Sequence, residues 1–340
     1  MKSRTTRAVG MLSAVALALA TGANAPAADA PAAGAPAAGA PVTRLITLGT
    51  QGGPRINSTR AQPANLLVVN GTSYLIDAGN GVGRQLALAH VPIASIGRIF
   101  ITHNHDDHNA DWGTLMGLEW SLGRKEPIEV YGPRGTESML LGFLQYFGPN
   151  VANRMLGKKG ATTLPASVFA AHDIQQDGLV YQDANIQVTA QENCHFHYLP
   201  GDPGHGWQKS YALRVQTPDK VIVFSGDTGE CGKQLVEFVR GADILVHEVI
   251  SLPAIEAHIR ADPNVHYSEA QIPALMRHMR DEHTSPEDIG RLAAAAGARQ
   301  VVLSHLVPGS DELPDSAYAD GVRKFYSGTV VVAQDLMEFR

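Results

Sequence analysis

Cysteine is nearly absent from this chain, with Cys194 and Cys231 the only two among 340 residues. One disulfide is therefore the upper limit. An oxidising compartment would permit it, but sequence separation alone does not show whether two side chains meet. Basic clusters are missing as well. Lys and Arg number 27 against 33 Asp and Glu, for a formal net charge of −6. With no run of cations, the large electrostatic footprint that nucleic acid requires is lacking. Beyond the first 20 residues no apolar stretch is long enough to span a bilayer, so no stable membrane anchor is expected. No short-period repeat occurs, which excludes a repeat array.

What is present begins with an address. Met1–Arg7 carries Lys2, Arg4 and Arg7, an apolar run follows over Ala8–Ala20, and small residues stand at Ala23 and Ala25. This is the layout of a secretory signal peptide over residues 1–25. Pro26 disfavours a cut directly before it, so cleavage after Ala30 is the alternative. Residues 26–42 are almost wholly Ala, Pro and Gly, a linker that cannot build a core. The expected product is periplasmic or secreted. Losing the three early cations would leave it at about −9. Residues 43–340 then form one domain, long but ordinary for a layered α/β fold.

Strand and helix patterns alternate through that domain. Arg44–Leu48, Leu66–Val69 and Ser73–Ile76 read as strands, with Asn70-Gly71 a two-residue hairpin turn. Ile96–Thr102 is the next strand, followed by helical spacing at Trp112–Leu122 and Glu137–Phe147. Residues 148–178 have weak patterning, consistent with an insertion or a lid. Ile186–Ala190, Tyr211–Gln216, Lys220–Ser225, Ile244–Val249 and Val301–Ser304 read as later strands. Hairpins mixed with helices in both halves imply two β-sheets covered by helices.

The densest chemistry lies in Arg98–Asp111, R-I-F-I-T-H-N-H-D-D-H-N-A-D. A buried strand stops at Thr102, and His103, His105, Asp107 and His108 follow at once. Imidazole and carboxylate suit a borderline-soft divalent cation such as zinc. Four such groups within six residues are hard to seat on one ion, so two ions are the natural reading. Partners should also stand just past strand ends, where side chains from separate strands converge. His195, Asp227 in Ser225-Gly-Asp-Thr-Gly229, and His305 after Val301–Ser304 all qualify. Asp77, after Tyr74-Leu-Ile76, is placed to orient a ligand histidine. His197 and His205 fall in a Gly/Pro-rich loop and read as surface residues. Trp112 and Trp120 read as packing residues, and Glu119 has no assigned role.

These elements resemble the five motifs of the metallo-β-lactamase-fold hydrolases: Asp77, H-x-H-x-D-H at 103–108, His195, Asp227 and His305. Within them, Val130-Tyr-Gly-Pro-Arg-Gly-Thr136, Ala242-Asp-Ile-Leu-Val-His-Glu248 and His283-Thr-Ser-Pro286 are similar to segments of the ribonuclease Z-like branch. In the last two, Val249 and the order Thr-Ser depart from that branch. The resemblance implies an αββα sandwich. It also implies two Zn2+ per chain, the first on His103, His105 and His195, the second on Asp107, His108 and His305, with Asp227 bridging. An Asp at 227 favours esters and phosphodiesters over β-lactams.

The expected reaction is attack by a metal-bridged hydroxide on phosphorus or carbonyl carbon, with Asp107 also orienting the nucleophile. His283, held by Glu248, is the candidate acid for the leaving group. The competing role for His283 is capping the helix that begins near Pro286. The expected substrate is a small-molecule ester or phosphodiester, with nucleic acid disfavoured and a homodimer left open. A β-lactamase or lactonase on the same metals, and a non-catalytic metal-binding exported protein, are the alternatives.

Overall fold

The computed structural model describes residues 43–56, 58–156, 163–261, 267–309 and 313–340; the expected signal peptide and linker lie outside the described residues. The first half of the chain comprises β1 (Thr43–Gly49), β2 (Ala64–Val69), β3 (Thr72–Ile76), α1 (Val82–Leu88), β4 (Ile96–Phe100), α2 (Asp106–Asn109), α3 (Trp112–Ser121), β5 (Ile128–Pro133), α4 (Thr136–Leu156) and β6 (Phe169–Ile174). The second comprises β7 (Gly178–Gln182), β8 (Gln187–Glu192), β9 (Tyr211–Gln216), β10 (Val221–Phe224), α5 (Lys233–Val239), β11 (Ile244–Ile250), α6 (Leu252–Ala261), α7 (Ile272–Glu282), α8 (Pro286–Ala296), β12 (Gln300–Val307), α9 (Ser316–Arg323) and β13 (Thr329–Val332). A last strand, β14 (Met337–Phe339), returns to the first sheet.

Two seven-stranded mixed sheets result, ordered β14-β1-β2-β3-β4-β5-β6 and β13-β12-β11-β10-β9-β8-β7. Each starts as an antiparallel meander and continues as parallel strands. The turn at Asn70-Gly71 has φ of 50° and 81° and pairs Val69 with Thr72, the two positive angles that a type I′ hairpin demands. Side chains alternate across each strand, so each sheet has two faces to cover. The inner faces meet around Leu67, Phe100, Tyr211 and Val246. The outer face of the first sheet is covered by α1, α3 and α4, and that of the second by α5, α8 and α9. This is the expected αββα sandwich. No helix among the described residues is long and apolar enough to cross a membrane.

Residues 148–178 are not an insertion or lid where they are described. Helix α4 runs through Gly148-Pro149 to Leu156, and β6 forms the edge of the first sheet beside β5. Pro149 removes one hydrogen bond, but Phe143, Phe147 and Val151 pack into the core over α3, and that burial keeps the helix intact. Residues 157–162 lie outside the described residues.

Trp112 and Trp120 are core residues, as expected. The unassigned Glu119 has a structural role: its fully buried carboxylate meets Arg124 Nη1 at 2.5 Å. Arg124 also donates to the Ala94, Glu126 and Pro127 carbonyls, which pins the end of α3 to the approaches of β4 and β5. Burial pushes the Glu119 carboxyl up to about 8 against the pull of Arg124. Removing one member of a buried pair strands the other. Arg124→Ala should therefore cost roughly 3–5 kcal/mol in urea unfolding; a loss below about 1 kcal/mol, the value typical of an exposed pair, would show that the pair is not structural.

Candidate metal centre

The site forms where the C-terminal ends of β3, β4, β8 and β10 and the bulge of β11 and β12 face one another across the two sheets. Beyond β4 the chain turns at Thr102, and the single turn α2 presents Asp107 and His108 inward. Beyond β10, Gly226 has φ 60°, and a Cβ there would stand 2.7 Å from the Tyr211 carbonyl oxygen. Only glycine lets the chain pass so close while it delivers the Asp227 carboxylate. His305 differs from the expectation: it lies within β12 and not past its end. A bulge sets Ser304 and His305 opposite Glu248, since His247 pairs Leu303 and Val249 pairs Leu306. His305 and Asp77 both adopt left-handed backbone, with φ 46° and 58°, a local cost of about 1 kcal/mol or more each.

All seven expected ligands converge. His103, His105, His195 and Asp227 offer ligand atoms within 4.8 Å of one another, and so do Asp107, His108 and His305. His105 Nδ1 lies 3.0 Å from His103 Nε2 and 3.2 Å from His195 Nε2. Asp227 faces both groups, with one oxygen 3.8 Å from His103 and 3.1 Å from His305, and the other 3.3 Å from His108. His305 Nε2 is 3.3 Å from Asp107 Oδ2.

Three of the imidazoles are held by their outer nitrogens so that the other nitrogen points inward. His195 Nδ1 donates to the Glu282 carbonyl at 3.0 Å. His108 Nδ1 donates to Asp77 at 2.9 Å. Thr102 Oγ1 donates to Asp77 and accepts from His103 Nδ1 at 3.2 Å. Asp77 therefore fixes two of the imidazoles, as its position after β3 led us to expect.

Electrostatics divide the site in two. Burial drives His103, His105 and His195 to the neutral form, His195 to about 3. Burial acts the same way on His108 and His305, but Asp227 and Asp107 outweigh it and lift His305 to about 10. The same pairing overcomes burial at the carboxylates, holding Asp107 to about 2 and Asp227 well below its usual range. The second donor set thus demands positive charge, which protons or a cation can supply. His108 Nε2, Asp227 Oδ1 and His305 Nδ1 have no hydrogen bond, although the first two face each other at 3.3 Å. Five convergent imidazoles, two carboxylates and unpaired buried polar atoms fit divalent cations and no apolar ligand.

His283 does not cap α8; it closes the C-terminus of α7. Ser285 is the N-cap of α8 and accepts from Asp288 N. The His283 ring instead stacks on His305 at 5.8 Å, with Nδ1 3.4 Å from Glu248 Oε2 and 4.0 Å from Asp227. The Glu248 contact lacks hydrogen-bond geometry, while Glu248 Oε1 accepts from Thr284 N at 2.8 Å. Burial lowers the imidazole, and the Glu248 and Asp227 charges overcome it and raise it. His283 Nδ1 also forms a third possible donor group with Asp227 and His305.

One feature of the centre escaped sequence reasoning, and a second was left open by it. Gly53 N donates to Asp107 Oδ2 at 2.9 Å. The Gly52-Gly53 pair follows a strand end like the ligands do, and a search restricted to titratable residues passes over it. The second feature is the disulfide. Cys194 and Cys231 are bonded, with Cα atoms 5.5 Å apart, tying the loop of His195 to the loop of Asp227. Asn104 bonds the Arg134 carbonyl and has no place in the centre. His172 stacks on Tyr131, His197 bonds the Asp281 carbonyl from the surface, and His266 lies outside the described residues.

Fold and site together define a metal-dependent hydrolase of the metallo-β-lactamase type. Residues 72–306 match the family described as the beta-lactamase superfamily domain, and the chain belongs to that family. Among curated relatives, a ribonuclease Z of Mycobacterium sp. (strain KMS) is 26% identical over 265 residues, covering 77% of this chain and 84% of its own. Among solved structures, the metallo-beta-lactamase fold protein YhfI from Bacillus subtilis aligns with a TM-score of 0.61 at 18% identity, covering 88% of this chain and 100% of its own. The short form of human tRNase Z aligns at 0.60 with 23% identity, covering 87% and 98%. The resemblance to the ribonuclease Z-like branch therefore stands, and with it a hydrolase acting on ester bonds.

Two outcomes follow from this geometry. Asp77→Ala should weaken metal binding about 10- to 100-fold in chelator competition; unchanged affinity would mean that Asp77 does not orient His108. Opening the disulfide, which spans a separation of 37 residues, should cost about 4 kcal/mol in urea unfolding with and without a dithiol. Identical transitions would show the bond to be dispensable.

Proposed function

We propose that this chain is an exported phosphodiesterase that works with two zinc ions held by His103, His105, His195, Asp107, His108 and His305, with Asp227 shared between them. The observation that carries the reading is the position of Asp227, whose Oδ2 faces both donor groups, His103 at 3.8 Å and His305 at 3.1 Å, while its Oδ1 faces His108 at 3.3 Å. The donor set of imidazole and carboxylate supports zinc. Two such cations, when bound, would polarise the substrate's oxygen and bring the pKa of a water between them toward roughly 7.

The protein's own groups supply the rest. Asp107, fixed by the Gly53 N–H, holds one donor position and orients the attacking water. His283 stands at the rim of the centre, 16% exposed, against buried Glu248. From there it can pass a proton to the departing alkoxide, while Glu248 stabilises the imidazolium it starts from. The ribonuclease Z relatives support a phosphodiester bond. The net charge of −6 and the lack of a basic run support a small phosphodiester over a polynucleotide. The secretory layout of residues 1–25 and the single disulfide support export.

Purified protein should carry two zinc ions per chain and hydrolyse bis(p-nitrophenyl) phosphate. Chelation should abolish turnover and zinc should restore it; fewer than one zinc per chain would favour a non-catalytic binding protein. Turnover of a lactone or β-lactam in place of the phosphodiester would favour the alternative substrates. His283→Ala should lower kcat by about 10²- to 10⁴-fold with zinc content intact. Lost zinc would make His283 a ligand, and unchanged kcat would remove it from the reaction.

A further inference from the structure

Beside the metal centre lies a cleft of about 550 Å³. One wall is helical. Ile255 and Ile259 on α6, and Leu275 and Met279 on α7, are i,i+4 pairs that share one helix face and line it. The segment that follows β1, from Gln51 to Arg55, lines it as well, together with Tyr267, Val307 and Pro308.

Two contacts place this cleft directly against the centre. Gly53, in the wall, donates its N–H to Asp107 Oδ2 at 2.9 Å. Gly52, beside it, lies so near His305 that a Cβ there would stand 2.6 Å from the ring Nδ1. A single layer of backbone therefore separates the cleft from His305 and Asp107. Nothing lies within 4 Å of where a Gly53 Cβ would stand, so the edge nearest the centre is left open.

We propose that this cleft receives an apolar organic group of the substrate, an aryl or short alkyl ester arm, while the phosphodiester sits at the metal centre. The inference rests on the phosphodiesterase reading and narrows its substrate to small amphiphilic diesters. The size suits a small ligand. The lining favours the same conclusion. A polynucleotide needs cations along its track and faces on which bases stack. Among the described residues the cleft presents mostly aliphatic side chains, with Tyr267 its one aromatic and Arg55 its one cation, and the Arg55 guanidinium lies against His258 Nε2 at 2.5 Å.

A series of p-nitrophenyl alkyl phosphates from methyl to butyl tests this on the zinc-loaded full chain. KM should fall about threefold to fourfold per methylene. Leu275→Glu and Met279→Glu, both at half-buried positions on α7, should flatten that slope, with zinc content and circular dichroism confirming that each variant folds. A binding readout independent of turnover is the fluorescence of 8-anilinonaphthalene-1-sulfonate, which should bind the wild type and lose affinity at least tenfold in both variants. A flat wild-type series, or a slope and dye affinity that persist in folded variants, overturns the proposal. So does a single-stranded RNA substrate with a KM below that of the butyl ester. If no phosphodiester is turned over but dye affinity still depends on Leu275 and Met279, the phosphodiesterase reading fails and the apolar site stands.

Discussion

A buried carboxylate with four imidazoles around it is the constraint on which this structure turns. Asp227 is almost fully enclosed, and the effective penalty of burying one ion is several kcal/mol unless its surroundings repay it. Repayment comes from both sheets: His103 and His108 hang from β4 of the first, His305 sits in β12 of the second, and His283 follows α7. The sheets must face each other closely at this end for that to hold. The inner core around Phe100, Tyr211 and Val246 sets the separation, and the Gly226 turn lets the carboxylate enter the gap. Packing and electrostatics are thus coupled, because a shift of one sheet against the other would strand a charge.

The same logic explains why strain gathers here. Asp77 and His305 hold left-handed backbone, and each serves the centre directly, Asp77 through His108 and Thr102, His305 through Asp107 and Asp227. Neither conformation is stable alone. The surrounding strands over-determine them, and the disulfide between the His195 and Asp227 loops adds a covalent restraint at the point where two loops without regular structure meet. The result is a donor set in which His103, His108 and His195 are oriented by their outer hydrogen bonds before any cation arrives, which is what preorganisation requires.

Much of this was legible in the sequence because the ligands obey a local rule. A β-rich run that stops at His103, Asp227 or Asp77 announces its geometry in a few residues. His305 obeyed the rule only in part: Val301–Ser304 reads as a strand, but the bulge opposite Glu248 that re-aims the ring is a pairing irregularity between two strands, invisible to either one alone. His283 had two balanced readings, and only tertiary contact with His305 and Glu248 separates them. Helix α4 misled for the opposite reason. Gly148-Pro149 is a strong local breaker, yet Phe143 and Phe147 press into the space left by Gly113 and Gly117 of α3, and that burial outweighs the local signal. Cysteine pairing was undecidable from sequence, since Cα separation is a property of the fold.

A metal centre built from strand ends has little means of choosing among substrates. A cation held there would act on any ester or phosphodiester oxygen that can reach it, so discrimination falls to the walls. Here the walls come from elements outside the ligand set: the backbone after β1 and the pair α6 and α7, which pack together around Ile250, Ile259, Met276 and Val307. Because α7 ends at His283 and its last carbonyl, that of Glu282, holds His195, the helix that lines the apolar cleft also sets one imidazole of the centre and positions another. A group pressing on Leu275 or Met279 therefore acts on the element that fixes His195 and aims His283. Binding energy gathered remotely from the reacting phosphorus can in this way be spent on alignment at the centre, the condition under which a distant contact raises turnover and not only affinity.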